Sequence, residues 1–166
     1  MALEMFLKLA GIAGESLDAK HKGEIDVLAW SWGLSTPEVS SAAGAGAGAG
    51  AGRVKIDNIS IQKWVDIASP LLISSETTGK HITDGTLSTR KALTAGKAGG
   101  DFLLFKMTDV IVTSVHVAAS ADTDRPTESI TLSFAKFEFD YQPTKADGSL
   151  GPAGSVGWDI VTAKQV

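Results

Sequence analysis

The side chains that could do chemistry in this chain are few and scattered. His21, His81 and His116 lie far apart, none in a ligand pair or beside a nucleophile. Each therefore reads as an ordinary surface or core residue and not as a base or a metal ligand. The stretch "DTDRPTE" brings Asp122, Asp124 and Glu128 together in a faint likeness of a calcium loop. It lacks the central glycine and the ligand spacing of an EF-hand, so it reads as a solvated loop with an Asp or Thr turn. Gly and Ala alternate from Ala43 to Gly52, but no Lys-Ser or Lys-Thr follows and the context is strand to strand, which is not a phosphate-binding loop. Cysteine is absent, which removes disulfides, thiolate metal sites and a Cys nucleophile together. No catalytic, metal or cofactor constellation is legible, and the chain reads as a non-enzyme.

Composition narrows the partners. The net charge is −4 and the pI about 5.3, and the 15 Lys and Arg residues are dispersed. The basic footprint of a nucleic-acid binder is missing. The opening "MALEMFLKLAGIAGES" is interrupted by Glu4 and Lys8 and has no basic segment ahead of it, so it reads as part of the fold and not as a cleavable signal. No window approaches the roughly 18 apolar residues of a membrane span, so membrane insertion is not expected. Synthesis as a soluble cytoplasmic chain follows from these features.

The elements around these residues are mostly strands. Leu3, Met5, Leu7 and Leu9 alternate with Ala2, Glu4, Phe6 and Lys8, the period of an opening strand with one apolar face. In "EIDVLAWSWG", Ile25, Val27, Ala29 and Ser31 share one face, while Asp26, Leu28, Trp30 and Trp32 share the other; the tryptophans are expected to face the core. Val54 and Ile56 are out of phase with Ile59 and Ile61, as are Ile130, Leu132 and Phe134 with Phe137, Phe139 and Tyr141. Such changes of face predict bends, near Asp57 and Asn58 and again within the last strand, of the kind that turns a barrel corner. One short helix is signalled by Ser69 as its cap, Pro70 at its first position and Gly79 at its C-terminal end. The chain of 166 residues is predicted to be a single, mainly β domain of about seven to nine strands with one helix, closing into a small barrel.

From Leu34 to Gly52 there is no core pattern, and structureless loops beyond about 12–15 residues are uncommon unless functional or disordered. A passive insertion, a loop that orders on contact with another chain, and silk-like stacking of Gly and Ala are all compatible with this composition. The shortness of the run argues against stacking.

Longer words carry more information than periodicity. "MFLKLAGIAGES" running into "EIDVLAWSWG", followed by "SPLL", "GKHI", "PTESITLSFAKFEFDYQPTKADGSLG" and "GWD", closely resembles the haemolysin co-regulated protein (Hcp) family, the tube proteins of the bacterial type VI secretion system. The likeness runs over nearly the whole chain in the same order. It implies residues 1–166 as one Hcp-like domain: two packed sheets forming a β-barrel with a helix at the side, related to contractile phage tail tubes, with a long Gly/Ala-rich loop at 34–53. It further implies a homohexameric ring, rings stacked into a tube, a valine-glycine repeat spike protein (VgrG) at the tip, a contractile sheath outside and small effector proteins in the lumen. Export by the secretion system, to the medium or a target cell and without a cleavable signal, belongs to the same expectation.

Two sets of site residues follow. If Trp30 and Trp32 fill the core, Ala29 and Ser31 point the other way, onto a face that can line the channel of a ring. In the family the connection between the second and third strands contacts neighbouring protomers or the next ring. That connection here includes Ser35, Thr36, Glu38, Gly44, Gly46, Gly48, Gly50, Gly52 and Arg53. Its Gly-Ala alternation is stricter than in the relatives and offers little apolar area, so the flanks "STPEV" and "RVKI" are expected to make the contacts. The competing reading is a monomeric β-barrel that binds a small apolar ligand.

Overall fold

The computed structural model describes residues 2–37, 53–92 and 99–166. Ten strands and one helix are found among them. The first half of the chain carries β1 (Leu3–Leu9), β2 (Ile25–Ser31), β3 (Leu34–Ser35), β4 (Lys55–Ile56), β5 (Ile59–Trp64) and α1 (Ser69–Thr78). The second half carries β6 (His81–Lys91), β7 (Leu103–Ala118), β8 (Thr127–Tyr141), β9 (Gly154–Asp159) and β10 (Lys164–Gln165). Antiparallel pairing runs β8-β5-β2-β1-β6-β7, and β7 pairs again with β8, closing a six-stranded barrel. β9 and β10 extend the wall from the second half of β8.

The alternation in β1 holds for Leu7 and Leu9, which turn into the barrel, whereas Leu3 at the start of the strand is exposed and Phe6 on the opposite face is also buried, stacked on His21. Leu7 and Leu9 meet Ile25, Ile59, Phe105 and Leu132, each fully or almost fully removed from solvent. These side chains fill the space an apolar ligand would need, which takes support from the ligand-binding alternative.

The corner expected in β8 is present and extends across its neighbours. Phe134 and Phe137 are both buried although three positions apart, with Ala135 and Lys136 between them. In β7, Met107 and Val110 are buried around exposed Thr108 and Asp109, and in β6, Ile82 and Gly85 are buried around exposed Thr83 and Asp84. Asp84, Thr108 and Lys136 are register partners, so three adjacent strands change face along one line. Asp109 takes a left-handed conformation there, with φ 55°. Gly85 lets the walls close, because a Cβ would stand 2.8 Å from Leu9 Cδ2 and 3.3 Å from Met107 Cε.

Two local expectations need correcting. Ile25 and Val27 are buried in the barrel and do not share an outward face with Ala29 and Ser31. The pairing of β2 with β5 shifts between Val27 and Ala29, and that bulge at Leu28 swaps the phase so that Trp30 turns inward while Ala29 and Ser31 turn out. At the helix, Ser69 is the first helical residue and Ala68 holds the cap position with no side-chain cap bond. Ser69 Oγ is drawn back instead, accepting from Asp66 N–H at 3.0 Å and Lys63 Nζ at 3.2 Å. Gly79, with φ 63°, ends the helix in the left-handed conformation as expected.

The phase change near Asp57 marks a break between two pieces of structure. Among the described residues β4 pairs only with β3, in a separate two-stranded ribbon, and β5 then enters the barrel. Trp32 pins the base of the ribbon: its ring packs edge-on against Phe105 (4.8 Å) and Phe137 (4.9 Å), and its Nε1 donates to Asp57 O at 2.9 Å.

Candidate functional site

The outward side of β2, β5, β8 and the last part of β7 forms a four-stranded face of mostly polar, mostly small side chains. Strand register aligns them in two rows. One runs Ser31, Ser60, Thr131, Ser114, and the other Ala29, Gln62, Ser129, His116. Together they line a shallow depression of about 220 Å³. Alternation explains the composition, because the intervening positions Ile61, Ile130 and Leu132 are the ones buried in the barrel. Among the described residues no lysine, arginine or carboxylate lines the depression, and His116 is the one titratable side chain there. Hydroxyl and amide groups can exchange weak hydrogen bonds with a passing surface, but they offer neither a fixed charge nor a broad apolar patch to hold it.

Both lateral borders of this face are unpaired strand edges among the described residues. β1 pairs with β2 only over Ile25–Val27, leaving the far edge of Leu28–Ser31 open. The pairing of β6 with β7 ends at Ile111, so from Ser114 to Ala118 the latter is paired with β8 alone. Unpaired edges are templates for another strand. Leu28 and Val117 are exposed at these two borders.

The other half of the barrel wall is charged. Lys106 Nζ lies 2.7 Å from Asp140 and 3.1 Å from Glu138, and hydrogen bonding to these carboxylates, Asp140 foremost, raises the lysine pKa above its ordinary value. On the outer side of β1 and β6, the hairpin-like segment 13–24 folds down as a cover. Arg90, almost fully buried, forms a two-pronged ion pair with Asp18 of that cover, and its Nε donates to Glu4 at 2.7 Å. The Arg90 guanidinium, opposed by partial burial and aided by the Lys20 and His21 backbone N–H groups, lowers the Asp18 pKa to about 2. His21 stacks on Phe6 at 4.3 Å and contacts Glu24 and Asp101 through its two ring nitrogens.

A second ionic group sits at the foot of α1. Lys63 and Glu128 are register partners and fully buried. Lys63 Nζ donates to Asp66 Oδ1 (2.8 Å) and Trp64 O (2.7 Å) and lies 3.7 Å from Glu128. The sequence reading grouped Glu128 with Asp122 and Asp124, but Glu128 points into the barrel while the two aspartates are exposed. Among the described residues no group of three or more His, Asp or Glu side chains is arranged so that it could hold a metal ion.

Of the site residues expected from sequence, Ala29 and Ser31 lie on the neutral face, and Ser35, Thr36 and Arg53 are exposed on or beside the β3–β4 ribbon. Glu38, Gly44, Gly46, Gly48, Gly50 and Gly52 lie outside the described residues. Sequence reasoning missed Ser60, Gln62, Ser114, His116, Ser129 and Thr131. The available signal was their alternation with buried Ile61 and Ile130, but only strand pairing shows that they adjoin Ser31.

A family model described as "Type VI secretion system effector, Hcp" matches residues 6–141. The protein hcp1 of Pseudomonas aeruginosa is 42% identical over 162 residues, covering 96% of both chains. A solved type six secretion system protein superposes with a TM-score of 0.88 at 28% identity, covering 99% of this chain and 100% of the other. Hcp1 from Salmonella typhimurium gives 0.77 at 31% identity with full coverage of both. The chain belongs to the Hcp family of type VI secretion system effector and tube proteins.

Proposed function

We propose that this chain is the protomer of a hexameric ring that stacks into the inner tube of the secretion system, with the neutral four-stranded face lining the lumen. The observation that carries the reading is that face itself, bounded on both sides by unpaired strand edges. Joining the β2 edge of one copy to the β7 edge of the next is a head-to-tail contact, which closes into a ring when its rotation permits. It also continues the two rows of small polar residues from protomer to protomer. The number six comes from the family likeness. Small effector proteins occupy such a lumen without being gripped by fixed charge, and no bond is made or broken. Membership of the Hcp family supports a spike protein at the tip, a sheath outside and export from the cytoplasm as parts of the same reading. The segment 34–53 supplies contacts between protomers or rings, through Ser35, Thr36, Glu38, Arg53 and the glycines between them.

Native mass spectrometry and electron microscopy of Ser31→Glu test the reading. Ser31 points away from the buried residues of β2, so six-fold rings with an open centre are expected to persist while binding of an effector falls at least tenfold. A parent protein that stays monomeric at micromolar concentration refutes the ring. A variant that forms rings and binds cargo like the parent refutes the lumen assignment.

A further inference from the structure

The two ends of the lumen-lining sheet differ in a complementary way. β5 runs from the β3–β4 ribbon at Ile59 to Trp64, a span of about 20 Å, so the ribbon and the turn after Trp64 stand at opposite ends of the same strands. At the ribbon end, Leu34 and Val54 are exposed apolar residues beside exposed Arg53 and Lys55. Lys55 pairs with the exposed Asp57 at 3.5 Å. At the far end, a depression of about 420 Å³ is lined by Trp64, Asp122, Asp124 and Arg125, with Ile67 exposed on the adjoining turn. Val65 N–H donates to Pro126 O at 3.0 Å and Arg125 Nη2 to Val65 O at 3.1 Å, which ties the turn to the 119–126 loop. Arg125 lies over Trp64 at 5.8 Å and reaches Glu15 at 3.5 Å. Asp122 and Asp124 have no ion-pair partner among the described residues.

We infer that this depression is the seat for the β3–β4 ribbon of a second copy of the chain, with Arg53 and Lys55 meeting Asp122 and Asp124 while Leu34 and Val54 cover Trp64 and Ile67. Each end offers apolar surface with an excess of one sign of charge, cationic at the ribbon, where Arg53 and Lys55 outnumber Asp57, and anionic at the depression, where Asp122 and Asp124 flank an Arg125 that is paired with Glu15. A contact between opposite ends of identical copies is heterologous and, along an axis that does not close, propagates as a filament. The lateral edges would close the ring and the two ends would join ring to ring. The inference rests on the tube reading and adds the residues that set the direction of stacking.

The test is charge reversal in the full-length chain, with rings counted by native mass spectrometry and stacks by electron microscopy. Asp122→Lys with Asp124→Lys is expected to leave rings intact and to reduce the fraction of rings in stacks at least tenfold. Adding Arg53→Glu and Lys55→Glu to the same chain is expected to restore stacking, because every junction then carries the pair reversed. Stacking by the acidic-loop variant at the parent level, or failure of the fourfold variant to recover, overturns the assignment. Raising salt tests the parent without any variant: stacks are expected to shorten as the ionic strength passes from about 0.05 to 0.5 M and the screening length contracts. Stacks whose length ignores salt overturn the assignment. Absence of rings in the parent overturns the tube reading instead, so the two failures are distinguishable.

Discussion

Replacing Asp18 by Asn tests the physical account of how the 13–24 cover is held down. Asp18 is shifted from an ordinary 3.8 to about 2, and its side chain is 17% exposed, so solvent screening removes only a minor part of the interaction. At about 1.36 kcal/mol per pKa unit the shift corresponds to about 2 kcal/mol of stability. Glu4 still pairs with Arg90 in the variant, which keeps the loss below the about 3–5 kcal/mol of a wholly orphaned buried ion. The sign follows from the direction of the shift. A carboxylate depressed in the folded state contributes its full stabilisation above the unfolded pKa of about 3.9 and loses it as pH falls through about 2. Denaturation at fixed protomer concentration, which holds any assembly term constant, is therefore expected to show Asp18→Asn about 2 kcal/mol less stable from pH 7 to 5. In thermal melts this corresponds to about 4–8 °C for a chain of this size. The gap should narrow below about pH 4 and vanish near pH 2. A gap that stays constant down to pH 2, or one under about 0.5 kcal/mol at pH 7, would refute the Arg90 clamp as its origin.

The buried ions at the foot of α1 give a second expectation. Lys63→Met leaves Asp66 and Glu128 buried without their cation and should cost about 3–5 kcal/mol in urea unfolding. Adding Glu128→Leu should recover part of that loss, and strictly additive losses would disprove the coupling. At the barrel corner, Gly85→Ala places a methyl 2.8 Å from Leu9 Cδ2 and should cost about 1–3 kcal/mol by calorimetry. A neutral result would mean that Leu9 and Met107 can move aside.

Local spacing encodes the features of this chain that are legible without its tertiary structure. The alternation of Leu3, Met5, Leu7 and Leu9 identifies β1, because a strand shows every second side chain to the same face. The phase change between Phe134 and Phe137 identifies a bend for the same reason, and Gly79 ends α1 because a left-handed residue there costs glycine least. Long shared words such as "IDVLAWSWG" identify the family, since chance does not reproduce them in order. Tertiary structure decided which strands are neighbours, and with that most of the candidate site. Nothing in β2 alone reveals the bulge at Leu28, since it exists only as a mismatch with β5. The corner in β8 is legible, but its continuation through Asp84 and Thr108 depends on register across three strands. Arg90 lies 72 positions from Asp18 and 86 from Glu4, and no spacing rule joins them. Ser31, Ser60, Thr131 and Ser114 become one row only when the barrel closes, because cross-strand neighbours are fixed by backbone pairing and the burial of the opposite face. A single strand's pattern shows which side is buried, and the pairing alone shows what lies beside it.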